Sequence, residues 1–156
     1  MTRTLLMMVL LTVAHTLAAQ STTVTPPPAA LAHLLQQHPT AAVKEWKQGA
    51  KLYRAVFTVK GEKHTAVYTS AGVWVRTEHD IRKEELPKPV NKTLLSGTYS
   101  GWEIDDVEEH RTPAHAQLYK VDVKNASKKA ELFLLPDGTL VKEEVKERKG
   151  KDERKK

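Results

Sequence analysis

The strongest constraint on this chain is a pattern written twice, 66 residues apart. The run Tyr53-Arg54-Ala55-Val56-Phe57 is answered by Tyr119-Lys120-Val121-Asp122-Val123, and Gly72-Val73-Trp74-Val75 by Gly138-Thr139-Leu140-Val141. The same offset joins Val67 to Phe133 and Glu78 to Glu144. A constant register over about 26 residues aligns a turn glycine with several apolar positions at once, which points to two copies of one unit. A solenoid would need three or more copies, so the two units are expected to complete one another.

Each unit reads as one helix followed by about four strands. Pro26, Pro27 and Pro28 lead into a helix over 29–38, with Leu31, Leu34 and Leu35 expected on one face and Pro39 ending it. In the second unit Pro87 and Pro89 take that part, Val90, Leu94 and Leu95 form the stripe, and Gly97 is the expected C-cap. Strand-like segments follow at 42–47, 52–60, 64–70 and 73–78, and again at 102–111, 118–124, 129–135 and 139–145. Tyr119, Val121 and Val123 alternate with Lys120, Asp122 and Lys124, as in an antiparallel strand wet on one side. The links 60–63 and 125–128 have hairpin length, and Gly72 and Gly138 are placed to supply positive φ. Leu35 and Leu95 are only 60 apart, so 111–116 is expected to absorb the difference as a longer loop. The expected fold class is α+β: two tandem repeats joined edge to edge, both helices on one face of the sheet. Leu34, Leu35, Leu94, Leu95, Tyr53, Phe57, Val121 and Val123 are the expected core.

The ends bound where such a chain works. Residues 1–19 have a charged start at Arg3, an apolar run from Leu5, and small residues for cleavage near Ala18 or Ala19, which reads as a secretory signal. That run is too short, and too interrupted by Thr12 and His15, for a spanning helix of roughly 20 apolar residues. Residues 20–28 read as a Pro-rich leader, 29–81 and 82–146 as the two repeats, and 147–156 as a disordered basic tail. The expected location is periplasmic or secreted, with no membrane span in the mature chain. The formal charge is +6, and +4 of it lies in residues 146–156, which leaves the body near neutral. A nucleic-acid partner would need a basic stripe on the folded surface, so none is expected.

Chemistry is sparse. There is no cysteine, hence no thiol catalysis, disulfide or lipid anchor. No serine sits in Gly-x-Ser-x-Gly, and no Gly-rich phosphate loop occurs. His33 and His38 are five apart on one helix, out of phase for shared ligation, which a spacing of four would give. His110 with Glu108 and Glu109, or His79 with Asp80, would compose a metal site only if strands brought them together. Structural or surface roles are expected instead, with no metal and no cofactor. Asp105, Asp106, Glu108 and Glu109 are expected to pair with Lys120, Lys124 or Lys142 on neighbouring strands.

The run Gly101-Trp102-Glu103-Ile104, then Tyr119-x-Val121-x-Val123, then 132–141 (Leu-Phe-Leu-Leu-Pro-Asp-Gly-Thr-Leu-Val) resembles the β-lactamase-inhibitor-like, PepSY-like family of exported bacterial proteins. Trp46, Tyr53, Phe57, Tyr68, Gly72 and Trp74 match more loosely in the first unit, and Thr77-Glu78-His79-Asp80-Ile81 followed by Leu86-Pro87 also fits. The resemblance covers nearly all of 29–146. It implies small tandem helix-plus-sheet units and carries no catalytic residues.

The expected function is therefore that of an exported, non-enzymatic protein that binds a protein or peptide of the envelope through an open sheet face, as an inhibitor or modulator. Arg54, Thr58, Lys120 and Lys124 are the candidate binding residues on that face, with Trp74 and Arg76 as candidate anchors. The alternatives are a metal-dependent envelope hydrolase built on the histidine–carboxylate clusters, and a structural envelope component. The identity of the partner and the oligomeric state are left open.

Overall fold

In the computed structural model, residues 24–148 are described. The expected signal at 1–19, the first part of the leader and the tail from residue 149 lie outside them.

The chain forms α1 (Pro28–Gln37), β1 (Ala42–Gln48), β2 (Leu52–Val59), β3 (Glu62–Thr69) and β4 (Trp74–Asp80). A 3₁₀ turn (Lys83–Glu85) leads to α2 (Lys88–Ser96), β5 (Glu103–Arg111), β6 (Leu118–Lys124), β7 (Lys128–Leu134) and β8 (Leu140–Glu147). The eight strands make one antiparallel sheet in sequence order, each paired with the next. The fold is therefore α+β, with one sheet and two helices.

Both helices begin on prolines, whose fixed φ suits the first turn and whose missing N–H would have had no partner there. The helix-to-sheet contact is narrower than the leucine pattern predicts. Ala30 and Leu34 are fully buried in α1, and Val90 and Leu94 in α2 are nearly so. Leu35 is 46% exposed and Leu95 73%, so neither belongs to the expected core. Positions i and i+4 face the sheet, and the next residue is rotated away by roughly 100°. Gly97 is the C-cap of α2, as expected, but in extended backbone (φ −104°) rather than the left-handed region, and the chain turns on through backbone bonds from Ser100 N–H to Gly97 O and Trp102 N–H to Tyr99 O.

The first core cluster holds Ala30, Leu34, Ala55, Phe57, Ala66 and Tyr68, flanked by Tyr53, Trp46 and Trp74. The second is aliphatic: Val90, Leu94, Val107, Val121, Val123, Leu132 and Leu134, with Tyr119 and Leu86.

Gly72 and Gly138 explain their own spacing. Both have positive φ, 83° and 87°. A Cβ on Gly72 would lie 3.0 Å from Ala30 N, and one on Gly138 only 2.6 Å from Pro89 O. Each helix is thus seated against the turn before the last strand of its half. Thr93 Oγ1 donates to Gly138 O at 2.8 Å and ties α2 to that turn.

Irregularities recur as well. Register shifts fall between Val67 and Tyr68 and between Phe133 and Leu134, and also at Val43/Glu45 and Ile104/Asp106. The buried helix positions Ala30 and Leu34 precede Val90 and Leu94 by 60 residues, whereas the later strands keep the offset of 66. The connection between β5 and β6 is longer than that between β1 and β2, as expected for 111–116.

Candidate binding face and histidine pocket

Register defines two sets of side chains on these strands. Ala55, Ala66, Thr77, Val107 and Val121 are in one phase, and several of them touch the helices. In the opposite phase a row runs Arg54, Val67, Arg76 across β2–β4, and a second runs Glu78, His110, Leu118 across β4–β6. Glu108 lies opposite Lys120, which lies opposite Phe133, which lies opposite Lys142.

This second phase is an ionic lattice. Arg76 Nε donates to Glu78 Oε2 at 2.5 Å. Glu108 accepts from Lys120 Nζ at 2.8 Å and is bonded to His110 Nε2 at 2.7 Å. Lys120 also reaches Asp122 Oδ2 at 3.2 Å, while Asp122 Oδ1 is buried with no hydrogen-bond partner. Lys124 pairs with Asp105 and Glu103. The hydrogen bond from His110, helped by Lys120, holds the Glu108 carboxyl down at about 2. Asp106, opposite Asp122, is pushed up by burial and by Glu108. The ammonium of Lys120 is held protonated above its usual range by Glu108 and Asp122, whose attraction outweighs the larger opposing effect of burial.

The predicted binding residues separate here. Arg54, Thr58, Arg76, Lys120 and Lys124 all lie in the polar phase, with Arg54 exposed and the others half-buried. Trp74 does not. It lies opposite Tyr68, packs on the first core cluster, stacks on His33 with ring centroids 5.4 Å apart, and donates from Nε1 to Thr77 Oγ1. The shift between Val67 and Tyr68 places it there. The aromatic that does occupy the polar phase is Phe133, half-buried between His110 and the ammonium of Lys142, which sits 5.4 Å from the ring centroid. Strict alternation with Leu132 and Leu134 was the signal for it.

Among the described residues one group has metal-like spacing: Glu78, Glu108 and His110. Its donors are committed. Glu78 is held by Arg76 and Glu108 by both Lys120 and His110, and two resident cations oppose a third.

A separate cavity of about 190 Å³ lies in the helix-side phase near the end of α1, lined by His38, Val59, Lys60, Glu62, His64, Thr77, His79 and Arg111. The His64 and His79 rings are 4.6 Å apart, and His38 lies 6.4 Å from His64. Burial, then the neighbouring cations, lowers His38 and His64 below the usual imidazole value. Sequence reading missed this cluster because it paired histidines along the chain, whereas β3, β4 and the end of α1 assemble it in space.

These features define an α+β protein whose single meander sheet carries two short helices. Its fold is that of the BLIP-like proteins. A BLIP-like protein from Bacteroides fragilis NCTC 9343 superposes with TM-score 0.71 at 23% identity, covering 83% of this chain and 93% of its own. A DUF2874 family protein from Bacteroides ovatus ATCC 8483 gives TM-score 0.68 at 27% identity, over 78% of this chain and 88% of that one. A protein from Bacteroides eggerthii DSM 20697, provisionally described as periplasmic, gives 0.65 at 21%, over 78% and 89%. No protein-family profile and no curated protein matches the chain. Among the described residues no helix is long and apolar enough to cross a membrane.

Proposed function

We propose that this is an exported, non-enzymatic binding protein that engages a protein or peptide of the envelope through the polar phase of its sheet, as an inhibitor or modulator. In this reading both helices cover one face, the two halves derive from one duplicated unit, and the other face is free. The register followed from Ala66 through Thr77 to Val107 and Val121 supports the first point, and the recurring bulges and glycine turns support the second.

The observation that carries the proposal is the broad ionic lattice around one half-buried ring, Phe133. Aromatic anchors amid polar groups are typical of recognition surfaces. Lys120 stands opposite the ring, Arg76 and Lys124 belong to the same lattice, and Arg54 and Thr58 extend the polar phase to β2 at the far side of the sheet. The likeness to BLIP-like and DUF2874 structures supports a binding role rather than a chemical one.

Photo-crosslinking residues placed at Arg54 or Lys142, against Leu35 and Leu95 on the helices, test this in intact envelopes. Open-face positions should give one discrete adduct, lost on Phe133→Ala with the melting temperature nearly unchanged. Adducts from the helix positions alone would overturn it.

A further inference from the structure

We propose that the cavity beside the end of α1 is a binding site for one tetrahedral oxyanion of the phosphate and sulfate class, held more tightly as the medium turns acid. The site lies in the helix-side phase, so it stands or falls independently of the open face. Register places its donors. His64 and His79 stand on adjacent strands, one step beyond the Thr65–Glu78 pair, with their rings 4.6 Å apart. His38 comes in from the end of α1, 6.4 Å from His64. Lys60 and Arg111 line the same wall and are exposed, and Glu62 is the one carboxylate among the lining residues.

The spacing and charge suit an oxyanion rather than a metal. A metal gathers its ligand atoms within about 2 Å of one point. An oxyanion spreads its donors around several oxygens, each about 2.7–2.9 Å from a charged nitrogen, so the donors stand farther apart. Three rings, two side-chain cations and a cavity of about 190 Å³ meet that demand. Donors that arrive from the end of α1, from β3, β4 and β5, and from the β2–β3 turn favour a tetrahedral group over a planar carboxylate.

Surrounding charge sets the pH dependence. The charged and titratable groups around the three rings are His33 on α1, Lys60 after β2, Glu62 on β3, Glu109 and Arg111 on β5, and Glu85 on the 3₁₀ turn. Glu109 is engaged by Gln117 and Arg111, and Glu85 by Arg82. Glu62 therefore faces two fixed cations and, in acid, up to three imidazoliums. Burial, then the neighbouring cations, opposes the charging of His38 and His64. An anion among the rings relieves that repulsion. Binding then takes up protons, and affinity rises as pH falls.

Sulfate is the probe, because it stays dianionic while imidazole titrates. Added to the full, tag-free chain at constant ionic strength, it should move the ring-nitrogen signals of His38, His64 and His79 along one saturating curve, with those of His110 and His115 unmoved. Inorganic phosphate should displace it and acetate should not. Displacement by glycerol phosphate as well would extend the site to phosphate esters, and its failure would restrict the site to free ions. Between about pH 7.5 and 5.5 the sulfate affinity should rise, by up to about tenfold per pH unit for each proton taken up. Arg111→Gln and Lys60→Gln should each weaken sulfate severalfold, and His64→Gln should flatten the pH dependence. Lys63→Gln, in the opposite phase of β3, should leave binding unchanged. The wild-type spectra keep the test decisive should a variant fold poorly. The absence of a saturable sulfate response in acid overturns the proposal. So does an affinity that fails to rise as pH falls, and so do shifts spread alike over every histidine.

Discussion

The two halves of the chain have the same order of elements, a helix and then four strands, and fill it with different chemistry. Under α1 the core alternates small and large: Ala30, Ala55 and Ala66 against Phe57 and Tyr68, with Trp46, Trp74 and three histidines at the margin. Under α2 medium aliphatics do the same task, with Val90, Leu94, Val121, Val123, Leu132 and Leu134. The polar phases differ too. The second half carries the linked ion pairs of Glu108, Lys120, Asp122 and Lys124, whereas the first places the fully buried Val67 between Arg54 and Arg76. The difference teaches that quite different side-chain sets can seat a helix here, provided a glycine turn receives it. The half freed from aliphatic packing is the one that gathered histidines.

The largest expected effects break the two cores apart. Phe57→Ala should destabilise by about 3–5 kcal/mol, because the ring is fully buried and both His38 and His64 lean on it. Leu94→Ala should cost about 2–5 kcal/mol, and Leu34→Ala the same. Leu95→Ala should stay within about 0.5 kcal/mol, since that side chain is 73% exposed. Denaturant titration of the four variants checks the order. Equal losses at Leu94 and Leu95 would mean that α2 seats on a different face.

The glycine turns sharpen the comparison. Gly138→Ala should cost about 2–4 kcal/mol, combining positive φ with a Cβ 2.6 Å from backbone oxygen. Gly72→Ala should cost less, since its nearest neighbours stand at 3.0 Å. Gly61→Ala isolates the backbone preference, about 1–2 kcal/mol, because nothing lies within 4 Å. Thermal melts that rank Gly61 with Gly138 would show that close helix seating is not what selects the glycine.

Most of this architecture was legible in the sequence, and the misses have physical causes. Strand positions and turns followed from alternation and glycine. The leucine stripes overcounted because a nine- or ten-residue helix laid on one side of this sheet buries one i, i+4 pair, leaving Leu35 and Leu95 outside. Trp74 was unplaceable because a single register shift decides its side. The histidine pocket was invisible because its members lie 15 and 26 residues apart and meet through pairing rather than spacing.

Trp74 gives a further contrast between the halves. Its counterpart Leu140 is 39% exposed, while Trp74 packs on Tyr68's cluster and is bonded to Thr77. Trp74→Ala should lower stability by about 1–3 kcal/mol through lost burial and the unpaired, buried Thr77 hydroxyl. Leu140→Ala should cost under about 1 kcal/mol.

The last contrast lies in the ionic lattice and is read from the acid limb of the stability curve. Glu108 has its carboxyl at about 2 in the folded protein, below the usual 4.5, because His110 and Lys120 bond the charged form. A depressed carboxylate adds stability that is fully present above its unfolded value. That stability is lost as pH falls from about 4.5 to about 2, where the unfolded chain binds the proton first. Melting temperature should therefore decline through this window in the wild type and decline less steeply in Glu108→Gln. The variant should be less stable than wild type at pH 7, and the two curves should approach one another near pH 2. The first half has no counterpart to this carboxylate: Asp122 and Glu108 face Lys120, whereas the residue 66 positions before Lys120 is Arg54, exposed and opposite Val67. Arg54→Gln should accordingly leave the shape of the acid limb unchanged. A wild-type curve flat between pH 4.5 and 2 would show that the lattice is only a solvated surface.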